Sequence, residues 1–580
     1  MTDIKNYETF VKIEPINKGW SSDKKYYIET ADGQRMILRV SDISELERKK
    51  TEYGIMECVY ELGVLTSQPF DFGLCDGGKS CYSLSGWLDG EDAEKALPFM
   101  SETEQYLFGM RAGEILRKIH TLPAPENAEP WGIRFRNKIK CWIEFYNGYD
   151  IKSENAEFII KYIQKNSDLL DLRPQTFCHG DFWIGNLIIA SNGEIGIIDF
   201  NSYNSGYGDP WSELIDAIIW GKDADSYFLT GLFRGYFGGE PPHEFFKILP
   251  YYFACHALAV FYETAQNHSG EPEDGRKHME NILRWFDDFK NTVPTWYLKD
   301  FHVQYINGIP CKLKEPYVFS FINKYGKVFK IFDEQASGCI CFGVSDGEHK
   351  YFIKFAGVIT INNYDLPVSD AIARLKAAVP KYKELAHPLL INLIEAKKVG
   401  SGYMLVFDWF DGESFSVETP MLYEKFSALP IDKKIYVFEE ILRFHEHVAK
   451  CGYVAMDFND YSTLYNFDTG EVKICDIDFY AKQSYINGMG KALGDPVIMS
   501  PEEFRIGGLI DEISNVYTMG ATAFRLFSES ERDRSPEKWT LSLELYAVVK
   551  KAVSDERDDR QQSIEQLIAE WRAARRGFDI

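Results

Sequence analysis

Hydrophobic and polar positions alternate along the first hundred residues of this chain. Ile13 to Ile16 and Tyr26-Tyr27-Ile28 read as strands, and Asp32-Gly33 is a hairpin turn into a third, Arg35-Met-Ile-Leu-Arg39-Val40. Between the first two strands lies the small-residue turn Gly19-Trp20-Ser21-Ser22. Ser44 to Gly63 shifts to helical spacing, and Tyr82-Ser-Leu-Ser-Gly86-Trp-Leu-Asp-Gly90-Glu returns to a strand followed by a turn. Helical periodicity then dominates, over Glu102 to His120, across 131 to 170 and on to about Phe289. Cys178 to Asn201 breaks it with two short apolar β-rich runs, Leu187-Ile188-Ile189 and Ile195-Gly196-Ile197-Ile198, joined across Asn192-Gly193. That dipeptide is a strong two-residue hairpin signal.

The polar residues around this hairpin carry chemistry. Asp181, in His179-Gly180-Asp181, precedes it; Asn186 opens it; Asp199, in Ile198-Asp199-Phe200, follows its second strand. The hairpin folds all three toward one point. Phosphoryl transfer needs such a point: one carboxylate to orient the attacking hydroxyl and accept its proton, and a carboxylate with an amide oxygen to hold Mg²⁺ on the phosphates. The stretch closely resembles the core of the aminoglycoside phosphotransferase family, relatives of the protein kinases. By that resemblance Asp181 is the catalytic base, Asn186 and Asp199 are Mg²⁺ ligands, and ATP is the phosphate donor. Taken without the resemblance, the same residues read as turn formers of a hairpin.

The resemblance extends to both sides. Gly19 to Ser22 lies where a kinase places its phosphate-covering loop. Arg39 takes the place of the third-strand lysine that holds the α and β phosphates, a contact that arginine makes bidentately. Glu52 is the expected carboxylate partner of Arg39, and Gly86 lies in the hinge whose backbone groups would bind adenine. His120 resembles a packing position beneath the catalytic loop, and Gly208-Asp209-Pro210-Trp211 the segment that follows the second metal ligand. Glu213, Asp216, Glu263 and Asp274 are acidic groups for an amine-bearing acceptor, each with a solvated helix face as its plainer reading.

Residues 298 to 320 are expected to be irregular, and a linker is placed at 298–314 around Gly308-Ile-Pro310. A second pattern follows that resembles the protein serine/threonine kinases. Gly338 and Gly343 stand where a glycine-rich loop belongs, Lys354 where the phosphate lysine belongs, and Met404 to Gly412 where the hinge belongs. Asp457 matches the catalytic aspartate, with Ala455-Met456 in place of His-Arg and Ser462 in place of the metal-binding Asn. Asp476 matches the metal-binding aspartate, and Asp478 replaces the Gly of that motif as a second metal ligand. The helix from about Asp370 to Lys383 lacks the usual Glu. Ser500-Pro501-Glu502 and Arg560 resemble a scaffold pair.

The resemblance implies an α+β chain of two tandem protein kinase-like folds, 1–297 and 315–580, each with a β-rich N-lobe and a helical C-lobe. The leading reading is an ATP- and Mg²⁺-dependent phosphotransferase acting through the first half on a hydroxyl of a small, cationic molecule. The alternatives are a serine/threonine kinase acting on protein through the second half, and a nucleotide-binding regulator or scaffold without turnover. A net charge of −24 argues against a nucleic-acid partner. Eleven scattered cysteines without CxxC pairs suggest free thiols and a reducing, cytoplasmic location. No signal-peptide run opens the chain, and the apolar run Ile248 to Tyr262, shorter than a membrane span, reads as a buried helix.

Overall fold

The structure is a computed structural model. It describes residues 3–17, 23–149, 154–200, 206–218, 225–267, 272–362, 367–415, 420–488, 490 and 494–576, with backbone alone at 264–267, 272–274 and 420. The turn Gly19 to Ser22 lies outside the described residues. The chain separates into two compact units, Met1–Lys299 and Asp300–Ile580.

The first unit opens with an antiparallel sheet of β1 (Phe10–Ile16), β2 (Lys24–Thr30), β3 (Arg35–Asp42), β4 (Pro69–Cys75) and β5 (Ser80–Gly86), in the order β1-β2-β3-β5-β4. Strand alternation decides what each face carries. Met36, Leu38 and Val40 of β3 enter a small core with Ile28, Tyr82 and Leu84, which leaves Arg39 on the opposite face. Helix α1 (Leu46–Glu61) connects β3 to β4. The helical half contains α2 (Glu102–Ile119), α3 (Trp131–Gly148) and α4 (Glu154–Lys165), then a hairpin of β6 (Leu187–Ile189) and β7 (Ile195–Ile197), then α5 (Ser226–Phe237), α6 (His243–Asn267) and α7 (Pro272–Phe286). The hairpin forms, but its loop runs over Ser191, Asn192 and Gly193 instead of two residues, because pairing stops at Ala190 and Glu194; Gly193 takes a φ of +80°.

Helices α2 and α5 meet at glycine. A Cβ at Gly109 or Gly113 would lie 2.1 Å from the carbonyl oxygen of Phe228 or Leu232, and one at Gly231 or Gly235 would lie 2.1 or 1.9 Å from that of Tyr106 or Met110. Only glycine permits this backbone approach. Helix α6 extends well beyond the expected apolar run. Its His243–Glu263 segment is long and apolar enough to cross a membrane by length and composition, but 83% of its most apolar stretch is buried inside the protein. All eleven cysteines are free.

The second unit begins where an irregular linker was expected, and the structure corrects this. β8 (His302–Ile306) and β9 (Ile309–Leu313) form a hairpin across Asn307-Gly308, both at positive φ (51° and 86°), the conformation that suits a tight two-residue turn. A five-stranded antiparallel sheet follows: β10 (Lys327–Phe332), β11 (Ile340–Ser345), β12 (Lys350–Ala356), β13 (Leu393–Val399) and β14 (Gly402–Asp408), in the order β10-β11-β12-β14-β13. This is the strand order of the first unit's sheet. Helix α8 (Val368–Glu384) lies between β12 and β13 in sequence, as α1 lies between β3 and β4. The helical half carries α9 (Ile431–Lys450), a hairpin of β15 (Thr463–Tyr465) and β16 (Val472–Ile474), and then α10 (Glu512–Phe527), α11 (Leu543–Ala552) and α12 (Ile564–Arg575). The fully buried Arg560 pairs with Glu502 at 2.9 Å, the partner that the sequence resemblance implies.

His445 of α9 is buried beneath the loop that follows. Its Nδ1–H donates to the Ile441 carbonyl (2.8 Å) and its Nε2 accepts from the Tyr480 hydroxyl (2.9 Å), which holds the ring neutral. Burial lowers its pKa to about 4. An unfolded imidazole takes up its proton near 6.5. The unfolded state therefore binds more protons as pH falls from 6.5 toward 4, and this contribution to stability is lost over that window. Across the window, the second unit of the wild type is expected to lose about 3 kcal/mol relative to His445→Gln. Urea unfolding at several pH values checks it, and parallel pH profiles would refute it.

Candidate active site

Asp181 sits on the loop after Thr176–Phe177, and a buried carboxylate holds that loop from below. Glu213, 2% exposed, accepts the backbone N–H of His179 (3.1 Å), the backbone N–H of Gly180, and Nε2–H of His120 (2.7 Å). His120 also bonds the Tyr236 hydroxyl (2.9 Å). His179 is fully buried; its Nε2–H donates to the Ile198 carbonyl (3.0 Å), and its Nδ1 accepts the N–H of Asp181 (3.2 Å). Burial holds this imidazole below its ordinary pKa, against the pull of Glu213 and Asp181. The loop is thus tied to the hairpin strand on one side and to Glu213 on the other. Glu213 is a structural anchor, and the sequence expectation that it lines an acceptor site is corrected accordingly. Asp209 braces the neighbouring segment: it is fully buried, pairs with Arg173 (2.9 Å to Nη2), accepts the Trp211 N–H (3.0 Å) and the Tyr252 hydroxyl.

The three predicted polar groups come together. Asn186 donates its amide N–H to both the carbonyl and the carboxylate of Asp181, each at 2.9 Å, which leaves its amide oxygen for another partner. Asp199 is held at a φ of +61°, in the left-handed region. Its carboxylate accepts from Arg39, the β3 residue left on the outer face by strand alternation. Burial raises Asp181 above its usual range, with Asn186 and His179 working against the shift. Burial would raise Asp199 too, but the Arg39 guanidinium, with Lys25 and His179, holds it below. The two carboxyls are therefore driven apart: Asp181 toward a proton acceptor and Asp199 toward a permanent anion.

Two expectations fail here. Glu52 does not pair with Arg39. It pairs with its own helix neighbours Arg48 (2.7 Å) and Lys49 (3.0 Å), Lys49 also reaches Asp23 (2.6 Å), and Arg39 is drawn to Asp199 instead. Gly86 does not offer its N–H to a base. That donor is spent on the Gln68 carbonyl (2.7 Å), and the Trp87 N–H on the Arg35 carbonyl (3.0 Å), because sheet pairing continues to the end of β5.

Sequence reasoning missed Lys25. It is 9% exposed, pairs in register with Arg39 across β2 and β3, and feels the charges of both Arg39 and Asp199. Lysine on the same strand face as the predicted phosphate arginine was the available signal. Of the other acidic candidates, Asp216 and Glu263 both feel the charges of Asp181 and Lys138; burial first, then Glu213 and Asp181, lift Asp216 well above the carboxylate range. The side chain of Asp274 lies outside the described residues.

The second unit repeats the layout with different chemistry. Asp457 (φ +59°) follows a short strand, and the backbone of Ala455 is held by Asn515 through two bonds of 2.7 Å. Asp476 (φ +56°) follows β16. Lys354 of β12 lies between Asp476 and Asp478, 2.7 Å from each. Asp478 is 2% exposed and also accepts from the Tyr382 hydroxyl (3.3 Å), while Lys381 donates to its carbonyl. Asp478 is therefore a buried carboxylate partner of Lys354. Its assignment as a metal ligand is corrected, because the side chain is enclosed and already paired. Ser462 is buried and caps a turn through the Asn459 N–H (3.4 Å). Gly338 takes a φ of +68° in the β10–β11 loop, but Gly343 lies within β11, where a Cβ would meet Phe329 and Trp409 at 2.8–2.9 Å. Gly343 serves aromatic packing and does not belong to the loop.

Residues 12–246 match the phosphotransferase enzyme family, APH. The match spans the first unit's sheet, Arg39, the Asp181 loop, the hairpin with Asn186 and Asp199, and the Glu213 anchor. It supports a phosphotransferase activity for this unit. No curated protein matches the chain.

Proposed function

We propose that the first unit transfers the γ-phosphate of ATP to a hydroxyl of a small, amine-bearing molecule. The observation that carries this reading is the pairing pattern of the two carboxyls: Asp181 is bonded to Asn186 and raised by burial, and Asp199 is bonded to Arg39 and held ionised. Asp181 takes the proton of the acceptor hydroxyl as its oxygen bonds to the γ-phosphorus, and the bond to the ADP oxygen breaks. Arg39 and Lys25 supply a cationic wall for the phosphates. The all-oxygen donor set of Asp199 and the Asn186 carbonyl suits Mg²⁺, which when bound neutralises phosphate charge. Asp216 and Glu263 feel the charge of Asp181, and an ammonium on the acceptor would favour their ionised forms.

The test is transfer of labelled γ-phosphate by the full-length protein to a panel of amino-alcohols and aminoglycosides, with generic proteins alongside. Transfer to protein alone would overturn the reading. Arg39→Ala is expected to weaken ATP binding about 10- to 100-fold, the worth of a charge-assisted contact. A variant that binds ATP as the wild type does would remove Arg39 from the phosphate site.

The second unit supports a regulator over a protein kinase. Lys354 is committed to two carboxylates and Ser462 stands at the metal-binding amide position. Loss of protein phosphorylation in Asp457→Gly, with small-molecule transfer intact, would reverse that preference.

A further inference from the structure

In the second unit, a cavity of about 690 Å³ opens between α8, the Asp457 loop and residues 478–485. Small-molecule sites fall at roughly 300–1,000 Å³. Its lining is mostly apolar and includes Met456, Phe479, Tyr453, Tyr480 and Tyr485. Most charged groups that reach it already have partners. Lys381 donates to the Asp478 carbonyl. Lys482 pairs with Glu384 (3.1 Å), which also accepts from the Tyr453 hydroxyl (2.7 Å). Arg374 donates to the Ser337 carbonyl (2.9 Å) and lies 4.8 Å from the Phe479 ring centre. Asp478 holds Lys354. Asp457 differs: among the described residues its carboxyl group accepts no hydrogen bond and forms no ion pair.

A half-buried carboxyl that meets no protein donor, at the edge of a cavity rich in aromatic residues, is open to a donor that a ligand brings. We propose that this cavity binds a small organic molecule with an apolar body and a hydrogen-bond donor head, an amine or a hydroxyl, and that Asp457 receives that head. Aromatic walls suit the apolar body and favour a cationic head over a neutral one. Burial, and then Asp476, push the Asp457 pKa up to about 7, against Lys354 and Arg374. Such a group accepts from a hydroxyl or gives up its proton to meet an ammonium. The inference does not depend on catalysis by either unit.

The test is binding of 2-phenylethylamine and 2-phenylethanol to the full-length protein by titration calorimetry and ligand-observed NMR. Three variants run beside the wild type. Asp457→Gly removes the acceptor and suits the positive φ. Ala377→Trp fills the cavity from an exposed position on α8. Asp181→Ala disables the site in the first unit. Saturable binding of either probe, weakened at least ~10-fold by Asp457→Gly and by Ala377→Trp and unchanged by Asp181→Ala, supports the site. The amine alone binding marks an ion pair, and the alcohol alone a neutral contact. Absence of binding by both probes, binding that survives both cavity variants, or binding lost in Asp181→Ala would overturn it.

Discussion

An Asp181→Ala protein is expected to transfer phosphate about 10²- to 10⁴-fold more slowly than the wild type, the usual contribution of a positioned base. Its stability should hardly change. The side chain of Asp181 contributes one bond from Asn186, and its burial opposes its charge, so its removal relieves as much as it loses. The wild-type rate should fall as pH drops through the raised pKa of Asp181, because the protonated acid cannot accept the hydroxyl proton. The alanine variant should lack that acid limb. Single-turnover transfer across pH, with thermal unfolding of the same samples, reads both quantities. Wild-type turnover in the variant would remove Asp181 from the reaction.

Glu213→Ala should instead damage the fold. Its carboxylate is the common acceptor for His120 and for the backbone of His179 and Gly180, so truncation leaves three buried donors without a partner. Breaking a buried, hydrogen-bonded charge in this way costs about 3–5 kcal/mol. Burial alone would raise its pKa, but the His120 contact and the Gly180 N–H hold it below the usual value. That stability is present above the unfolded pKa and lost as pH falls through the folded one, so the deficit of the variant should shrink in acid. Glu213→Gln keeps one acceptor oxygen and should lie between. Urea midpoints at neutral and acid pH decide the matter; an alanine variant with the wild-type midpoint would show that the loop stands without its anchor.

The site was legible where local pattern and chemistry coincide. Asp181, Asn186 and Asp199 flank a hairpin written in apolar runs, so their convergence follows from local pairing. Arg39 was singled out by its place on the third strand, where the resemblance sets a phosphate-holding residue. Long-range choices were not legible. Whether Arg39 meets Glu52 or Asp199 depends on how far α1 stands from the strand and on which cations compete, and no spacing encodes that. Gly86 and Gly343 carried the residue type expected of nucleotide contacts but serve pairing and aromatic packing. Asp478 looked like a surplus ligand because its partner Lys354 lies 124 residues upstream, a pairing that no spacing encodes. The hairpin at 302–313 was legible in Asn307-Gly308 and was overlooked in favour of Pro310.

Helices α2 and α5 touch backbone to backbone at four glycines, and at those points no side chain stands between them to change rotamer or make room. Such a contact neither slides nor repacks, so any opening for substrate exchange in the first unit falls to the sheet and to the loops around Asp181. It also separates what can drift from what cannot. Lys138, Asp216 and Glu263 lie on other segments and are not bound by this contact, while the frame beneath admits no substitution at Gly109, Gly113, Gly231 or Gly235. A unit built this way can change its substrate over evolutionary time without renegotiating its architecture.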